Sequence, residues 1–389
     1  MSSRYLAVAL SDFATAKMVL LTGPRQVGKT TVAREWQEAR EGLYLNWDVP
    51  EDRVEIVTRS WTRSPASALV LDEIHKNRRW KNLLKGIYDT TRRRLQVVVT
   101  GSARLDVFQK GGDSLLGRYE YLRLHPFTIG ELSHGELRRP PLDWLNPGSQ
   151  PPKRGAWERL EARTGFPEPY FHASADYYRR WSARRRSNLI QQDLRELSEI
   201  RGLGLVEQLV MMLPERVGSP LSLNALREDL GVAHETVRSW LEALERLYVC
   251  FTLSPYATKV ARSIRKERKA YLLDWGGIES SGARFENMVA CHLLKSVHAW
   301  SDMGFGEYDL LYVRNKDQQE VDFLITERRK PKVLIECKTS DGTISKALLK
   351  FSAELGGVPC VQLVRDRIDA RQSAGVLLAS AEKYLANFT

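Results

Sequence analysis

The segment Val19-Leu20-Leu21-Thr22-Gly23-Pro24-Arg25-Gln26-Val27-Gly28-Lys29-Thr30-Thr31 constrains the fold more than any other stretch of the chain. It fits Gly-x-x-x-x-Gly-Lys-Thr, with an apolar strand-like run before it and a helix-like run after it. A phosphate chain needs backbone N–H groups pointing inward, so the loop must bend tightly, and Gly23 and Gly28 permit the angles this takes. Gly23, Pro24, Arg25, Gln26, Val27, Gly28, Lys29, Thr30 and Thr31 are therefore the expected nucleotide cradle. Lys29 would reach the β/γ-phosphates, Thr30 would ligate magnesium, and the helix from Thr30 would add its positive dipole end. The expected cofactors are ATP and Mg2+. An ordinary glycine turn is the plainer reading, and the motif that follows argues against it.

Apolar runs at 18–21, 43–45, 68–71, 95–99 and 119–124 alternate with helical or loop segments, the pattern of a parallel sheet covered on both faces. Ala68-Leu69-Val70-Leu71-Asp72-Glu73 reads as a buried strand ending in adjacent carboxylates. Asp72 would hold magnesium through water or Thr30, and Glu73 would orient and polarise the attacking water. Asp72-Glu73-Ile74-His75 also matches a helicase box, but those enzymes need two tandem motor cores and this region has room for one. His75 is read as a structural or sensing residue at the strand edge. The strand at Leu95–Thr100 ends in hydroxyl residues, and either Thr100 or Ser102 would sense the γ-phosphate. After Gly112-Asp113-Ser114-Leu115-Leu116-Gly117, Arg118 is the candidate arginine finger, offered to a neighbouring subunit's nucleotide; a surface arginine is the alternative.

The length of 389 residues suggests two or three domains. No apolar run is long enough to span a membrane, and Met1–Ser11 lacks a basic then apolar leader, so a cytoplasmic protein is expected. Cys250, Cys291, Cys337 and Cys360 show no metal-ligand spacing, which argues for reduced thiols and against zinc. The formal net charge of +11 suits a polyanion such as DNA, though charge alone does not say which element would dock on it.

Thr22–Thr31, Leu71-Asp72-Glu73-Ile74-His75-Lys76, Thr100-Gly101-Ser102, Leu115-Leu116-Gly117-Arg118 and Pro126-Phe127-Thr128 together resemble one AAA-type ATPase family of bacteria and archaea. Its members are described as ATP-binding proteins with a C-terminal domain of unknown function that resembles PD-(D/E)xK nucleases. The resemblance implies an AAA-type sheet, Arg118 as the glycine-linked arginine, and assembly into a ring or hexamer.

The stretch 138–155 is rich in proline, glycine and basic residues and reads as a loop or linker. Gly165-Phe166-Pro167-Glu168-Pro169 followed by Trp181, Asn188 and Asp193-Leu194 resembles the same family's proline turn and the helix after it. Arg179, Arg180, Arg184, Arg185 and Arg186 form the densest basic cluster, either touching phosphates or forming a solvated helix face. From Pro220 to Glu245 the spacing is that of a helix-turn-helix. Gly231 makes the turn, Leu223, Leu226, Leu230, Val237, Leu241 and Leu244 form the shared core, and His234, Glu235, Thr236, Arg238 and Ser239 lie on the exposed face. Segments 247–256 and 270–273 would form a wing. Glu235, Glu242 and Glu245 favour shape or phosphate contacts over sequence readout, and the basic loop Lys259–Lys269 is the better candidate for touching nucleic acid.

In the last third, Ala283–Ala290 opens a helix carrying Glu286. In Glu320-Val321-Asp322-Phe323 a period of two puts the acids on one face and Val321 and Phe323 in a core. Ile335-Glu336-Cys337-Lys338 repeats the device. Asp322 and Glu336 would bind magnesium, Lys338 would orient or activate water, and Glu286 would assist, the ligand set of a PD-(D/E)xK nuclease. Carboxylates and a lysine alternating on an exposed strand are the alternative. A helix at 345–355, a strand at 358–364 and a final helix at 373–386 would complete a small domain.

The expected architecture is thus α/β throughout: an AAA-type P-loop parallel-sheet domain (1–137), a linker, helical segment and winged helix (138–279), and a small nuclease-like α/β domain (280–389). The expected function is that of an ATP-hydrolysing homo-oligomer acting on duplex or branched DNA, with a magnesium-dependent nuclease as a further expectation. A nucleotide-dependent switch whose nuclease-like domain is inactive is the alternative.

Overall fold

A computed structural model describes residues 4–63, 66–91, 94–101, 115–172, 174–195, 200, 202–257, 267–340 and 343–389. The chain packs as two compact units, one of residues up to His125 with Arg246–Tyr248, the other of Pro126–Glu245 with Val249–Thr389.

In the first unit five strands, β1 (Met18–Thr22), β2 (Leu43–Asn46), β3 (Ala68–Asp72), β4 (Gln96–Thr100) and β5 (Tyr119–Arg123), form one sheet in the order β2-β3-β4-β1-β5. Every pairing is parallel. β1 and β3 are buried along their whole length, which is why their sequences are continuous apolar runs instead of alternating ones. Helix Trp80–Thr91 brings Trp80, Leu84 and Ile87 onto a core shared with Leu20, Leu71 and Val99. β4 lies between β1 and β3, so the C-terminal ends of these three strands sit side by side, the position where open parallel sheets build their sites.

The second unit begins with the short helix Ile129–His134; helices Ala156–Ala162, Pro167–Phe171 and Ala175–Asn188 follow, the last running into a π-helical turn, Leu189–Leu194. Helices Leu203–Met212, Leu223–Leu230 and His234–Arg246 follow, then an antiparallel pair, β6 (Cys250–Leu253) and β7 (Lys269–Leu272). Gly231, with φ of 66°, ends the first helix of the expected helix-turn-helix, and Val237, Trp240, Leu241 and Leu244 bury one face of the second. Helix Ser281–Asp302 is capped by the Ser280 side chain, which accepts from the Ala283 N–H. It packs with a six-stranded mixed sheet, β8 (Tyr308–Arg314), β9 (Glu320–Glu327), β10 (Lys330–Lys338), β11 (Cys360–Val364), β12 (Arg371–Ser373) and β13 (Val376–Ser380), ordered β12-β13-β11-β10-β9-β8. The four cysteines are free thiols. Among the described residues no helix is long and apolar enough to cross a membrane.

Two expectations change here. The final helix expected at 373–386 is helical only over Ala381–Leu385; before it, β12 and β13 form a hairpin. Ala374 and Gly375 both take positive φ, the turn two-residue hairpins need. Val376–Ser380 then continues as a buried strand parallel to β11. The stretch 138–155 has no regular structure but is held rather than free. Trp300 Nε1 donates to the Arg138 carbonyl, Tyr384 Oη to Trp144, and Asn387 Nδ2 to Pro147.

The segment before it, which includes helix Ile129–His134, is anchored by charge. Lys295, fully buried on helix Ser281–Asp302, pairs with buried Glu131 and donates to Thr128 Oγ1 at 3.1 Å and the Pro126 carbonyl at 3.2 Å. Lys295→Met should destabilise the second unit by about 3–5 kcal/mol in urea unfolding, because it leaves a buried carboxylate without its counter-charge. Adding Glu131→Leu should recover a large part of that loss.

Candidate functional site

The first unit gathers its sequence-marked residues around one carboxylate. Asp72, buried at the end of β3, accepts on Oδ2 from Thr30 Oγ1 at 2.9 Å and Tyr44 Oη at 2.6 Å. Its Oδ1 accepts from Thr100 Oγ1 and from the Glu73 N–H at 3.0 Å. Four donors on one carboxylate fix its orientation. Thr30 and Asp72 offer one neutral and one anionic oxygen side by side, a donor set that suits magnesium with phosphate and water completing its shell.

The loop above them is bent as its glycines require. Gly28 has φ of 98°, and Gly23 has φ of 136° with a missing Cβ whose place would be 2.2 Å from the Leu124 carbonyl oxygen. Gln26 also lies in the left-handed region, at φ of 66°. Lys29 Nζ donates to the carbonyls of Gly23 and Pro24 at 2.9 and 2.8 Å, curled back into its own loop. Val27 is buried, whereas Arg25, Thr30 and Thr31 are exposed. The Arg4 guanidinium braces the loop from behind, donating to the carbonyls of Val27 at 2.6 Å and His125 at 2.5 Å.

Glu73 occupies the left-handed region at φ of 55°, held there by its N–H bonds to Asp72 Oδ1 and, at 3.1 Å, to the Thr100 carbonyl. Burial, and then the charge of Asp72, raise its pKa above the ordinary carboxylate value. His75 Nε2 lies 3.6 Å from Glu73 Oε2, so His75 faces the acid it follows in sequence. Arg118 stands apart on the surface, paired bidentately with Asp89 at 2.8 and 3.3 Å. Ser102 lies outside the described residues, and of the two hydroxyls considered Thr100 is the one seen against Asp72. Sequence reading missed Tyr44 and Arg4. The signal for Tyr44 was a polar-tipped residue in a strand adjacent to β3; for Arg4 there was none.

The second unit holds another charged cluster, and its centre is a residue the sequence placed elsewhere. Lys269 on β7, expected in a nucleic-acid-binding loop, is buried at 1% side-chain exposure among three acids. Its Nζ is 2.5 Å from Glu320, 3.5 Å from Glu286 and 3.6 Å from Asp322. Burial alone would push the ammonium's pKa down, and the charges of Glu286, Asp322 and Glu320 reverse this and raise it. Tyr271 Oη donates to Glu286 at 2.8 Å, and the Cys337 N–H donates to Asp322 Oδ2 at 2.9 Å. Glu336 faces Lys338 at 2.7 Å with its Oε2 buried and without a hydrogen-bond partner.

Glu286, Asp322 and Glu336 are the acids expected to hold magnesium, and the Asp322 charge acts on both of the others. Two of them are turned to Lys269, an ammonium where a cation would sit, and among the described residues no group of three or more His, Cys, Asp or Glu could hold a metal ion. The β-period reading survives in part. Val321 and Phe323 are fully buried as expected, but Glu336 is also buried, and Cys337 is the residue left half-exposed. On the helix-turn-helix, Arg238 is paired with Glu235 at 3.1 Å, and Glu245 accepts from Thr252 on β6, tying the helix to the strand after it. The basic loop's residues 258–266 lie outside the described residues.

Residues 15–133 match the family model of the AAA domain. This part of the chain is similar to AAA domains. Residues 154–279 match a domain of unknown function, DUF8612, and residues 281–376 another, DUF4143. Uncharacterized proteins of Mycobacterium tuberculosis and Mycobacterium bovis are each 24% identical over 356 residues, covering 87% of this chain and 74% of theirs. Among solved structures, the RuvB Holliday junction branch migration motor of Thermotoga maritima is similar at 20% identity over 67% of this chain and 93% of its own, with a TM-score of 0.32. A signal transduction ATPase with numerous domains and a tetratricopeptide repeat sensor, from Pyrococcus horikoshii, is similar at 12% identity over 77% of this chain and 47% of its own, with a TM-score of 0.23.

The acid cluster makes the second unit's stability depend on pH. Burial, and then the Asp322 charge, push Glu286 up to about 8 and Glu336 up to about 7, from an ordinary 4.5. Both bind their proton more tightly in the folded state. Their contribution is complete below about pH 4.5 and is lost as pH rises through about 7 to 8. Lys269→Met removes the cation that offsets the Glu286 charge. It should lower the unfolding free energy, read from urea titrations, far more at about pH 8 than at about pH 5, by on the order of 3 kcal/mol at the higher pH.

Proposed function

We propose that the protein is an ATP-hydrolysing switch that acts on DNA, with a first unit that turns over nucleotide and a second unit that recognises its target and does not cut it. The observation that carries the ATPase half is the cluster of Thr30, Asp72, Thr100 and Glu73 at the ends of three neighbouring strands, beside a glycine loop. Magnesium bound by Thr30 and Asp72 would bridge phosphate oxygens and neutralise charge on them. The backbone of residues 23–29 would cradle the phosphates, and Lys29 would exchange the carbonyls of Gly23 and Pro24 for phosphate oxygens. Glu73 would accept the proton of the attacking water, and Thr100 would report on the γ-phosphate through Asp72. Arg118 would leave Asp89 to serve a neighbouring copy's nucleotide, which makes hydrolysis a property of an oligomer.

The net charge of +11 supports a polyanionic target, with the helix-turn-helix and its β6–β7 wing as the docking element. Against a nuclease stands Lys269, whose ammonium already satisfies the acids that a metal would need. A cutting enzyme remains the second reading, carried by the buried Glu336 Oε2 and by Lys338 beside it.

ATPase assays with and without duplex and four-way DNA test this. The wild type should hydrolyse ATP faster with DNA. Glu73→Gln should lose at least about 100-fold in turnover while still binding ATP, and Arg118→Ala should lose turnover only under conditions where copies associate. No ATPase activity on any DNA would sink the reading, and magnesium-dependent cutting that disappears in Glu336→Ala would restore the nuclease.

A further inference from the structure

The Asp72 carboxylate receives a full set of hydrogen bonds from the chain itself. Each carboxylate oxygen has two lone pairs, so the group offers about four acceptor positions. Oδ1 takes the Thr100 hydroxyl and the Glu73 N–H, and Oδ2 takes the hydroxyls of Thr30 and Tyr44. No position is left over for a magnesium ion or for a water in its shell. One donor must therefore yield when the metal binds.

The donors differ in their freedom to do so. The Glu73 N–H belongs to the backbone and is shared with the Thr100 carbonyl at 3.1 Å. Thr100 is fully buried at the end of β4, between β1 and β3. Thr30 places its oxygen beside the same Oδ2 and is the other ligand the metal needs, so it stays. Tyr44 differs from these on each count. It is half-buried and lies on β2, at the edge of the sheet. One face of its ring is covered by the exposed Arg34, whose guanidinium carbon stands 3.9 Å from the ring centroid. Arg34 belongs to helix Lys29–Glu38, which follows the glycine loop directly. A ring between an edge strand and a long exposed side chain can change rotamer without moving the core.

We propose that Tyr44 is a placeholder for magnesium: its hydroxyl occupies the acceptor position on Asp72 Oδ2 that the metal or its water takes, and the ring turns aside when magnesium enters with nucleotide. The inference rests on the reading of Thr30 and Asp72 as magnesium ligands. The Tyr44 bond, 2.6 Å long, keeps Oδ2 satisfied until then. Giving it up makes magnesium-nucleotide bind more weakly than Thr30 and Asp72 alone would allow. The tyrosine thus sets a threshold for filling the site.

The test is fluorescence titration of the full chain with N-methylanthraniloyl-ADP, with magnesium chloride in excess and again with EDTA. The ratio of the two affinities is the gain from magnesium. Tyr44→Phe keeps the ring under Arg34 and removes only the hydroxyl. It should enlarge that gain about tenfold, the strength of one hydrogen bond to a carboxylate, and leave the EDTA affinity unchanged. Thr100→Val removes a donor from the other oxygen and should not enlarge the gain. Arg34 is exposed, so Arg34→Ala leaves the core intact even if Tyr44→Phe does not fold. It frees the ring and should enlarge the gain by a smaller factor; no enlargement there would overturn the proposal. A gain that Tyr44→Phe leaves unchanged or reduces would do the same and make Tyr44 a support for Asp72. So would a tightening seen equally in EDTA, or one that Thr100→Val matches, which would trace the effect to any lost hydrogen bond. A wild type that gains nothing from magnesium would instead remove the ligands read at Thr30 and Asp72, and the placeholder with them.

Discussion

The Lys269 ammonium organises the second unit. It comes from β7, and the acids around it come from helix Ser281–Asp302 and from β9, so one charge joins three elements distant in sequence. Such an arrangement persists only when each partner is supplied, because a buried ion stripped of its counter-charges costs more than the pair returns. The acids gathered here would repel one another without a cation. That need is met from within the chain, and it sets what the surrounding sheet is able to do.

The first unit solves the opposite problem. There an anion, Asp72, is surrounded by donors, each from a different place: Thr30 after the glycine loop, Tyr44 on β2, Thr100 on β4 and the next residue's own N–H. The parallel order β2-β3-β4-β1 brings these together, since all four strands end at the same edge of the sheet. Hydrogen bonds fix the Asp72 carboxylate in place, while burial, and then the Asp72 charge, raise the pKa of Glu73 next to it.

How much of this was legible depends on distance along the chain. The loop 23–31, the strands β1, β3 and β4 and the pair Asp72-Glu73 were visible because each is a local pattern whose physics is complete within about ten residues. The helix-turn-helix was visible for the same reason, through Gly231 and the spacing of its leucines. Lys269 was misplaced because a lysine in a basic run reads as solvated unless its partners are known, and its partners are Glu286, Glu320 and Asp322. Segment 373–386 was misread because a run such as Val376-Leu377-Leu378-Ala379 has no period to separate strand from helix, and pairing with β11 decided it. Arg185, which is buried, looked like one more surface arginine in a cluster of which Arg179, Arg180 and Arg184 are indeed exposed.

The place of β4 carries a mechanical consequence. Thr100 meets its neighbour strand through two atoms at once: its hydroxyl donates to Asp72, and its carbonyl accepts from the Glu73 N–H. Any shift of β4 along its axis therefore rotates the peptide that aims Glu73 and tugs the carboxylate of Asp72 in one motion. A single strand end is thus bonded to both acids, to the carboxylate of Asp72 and to the peptide of Glu73.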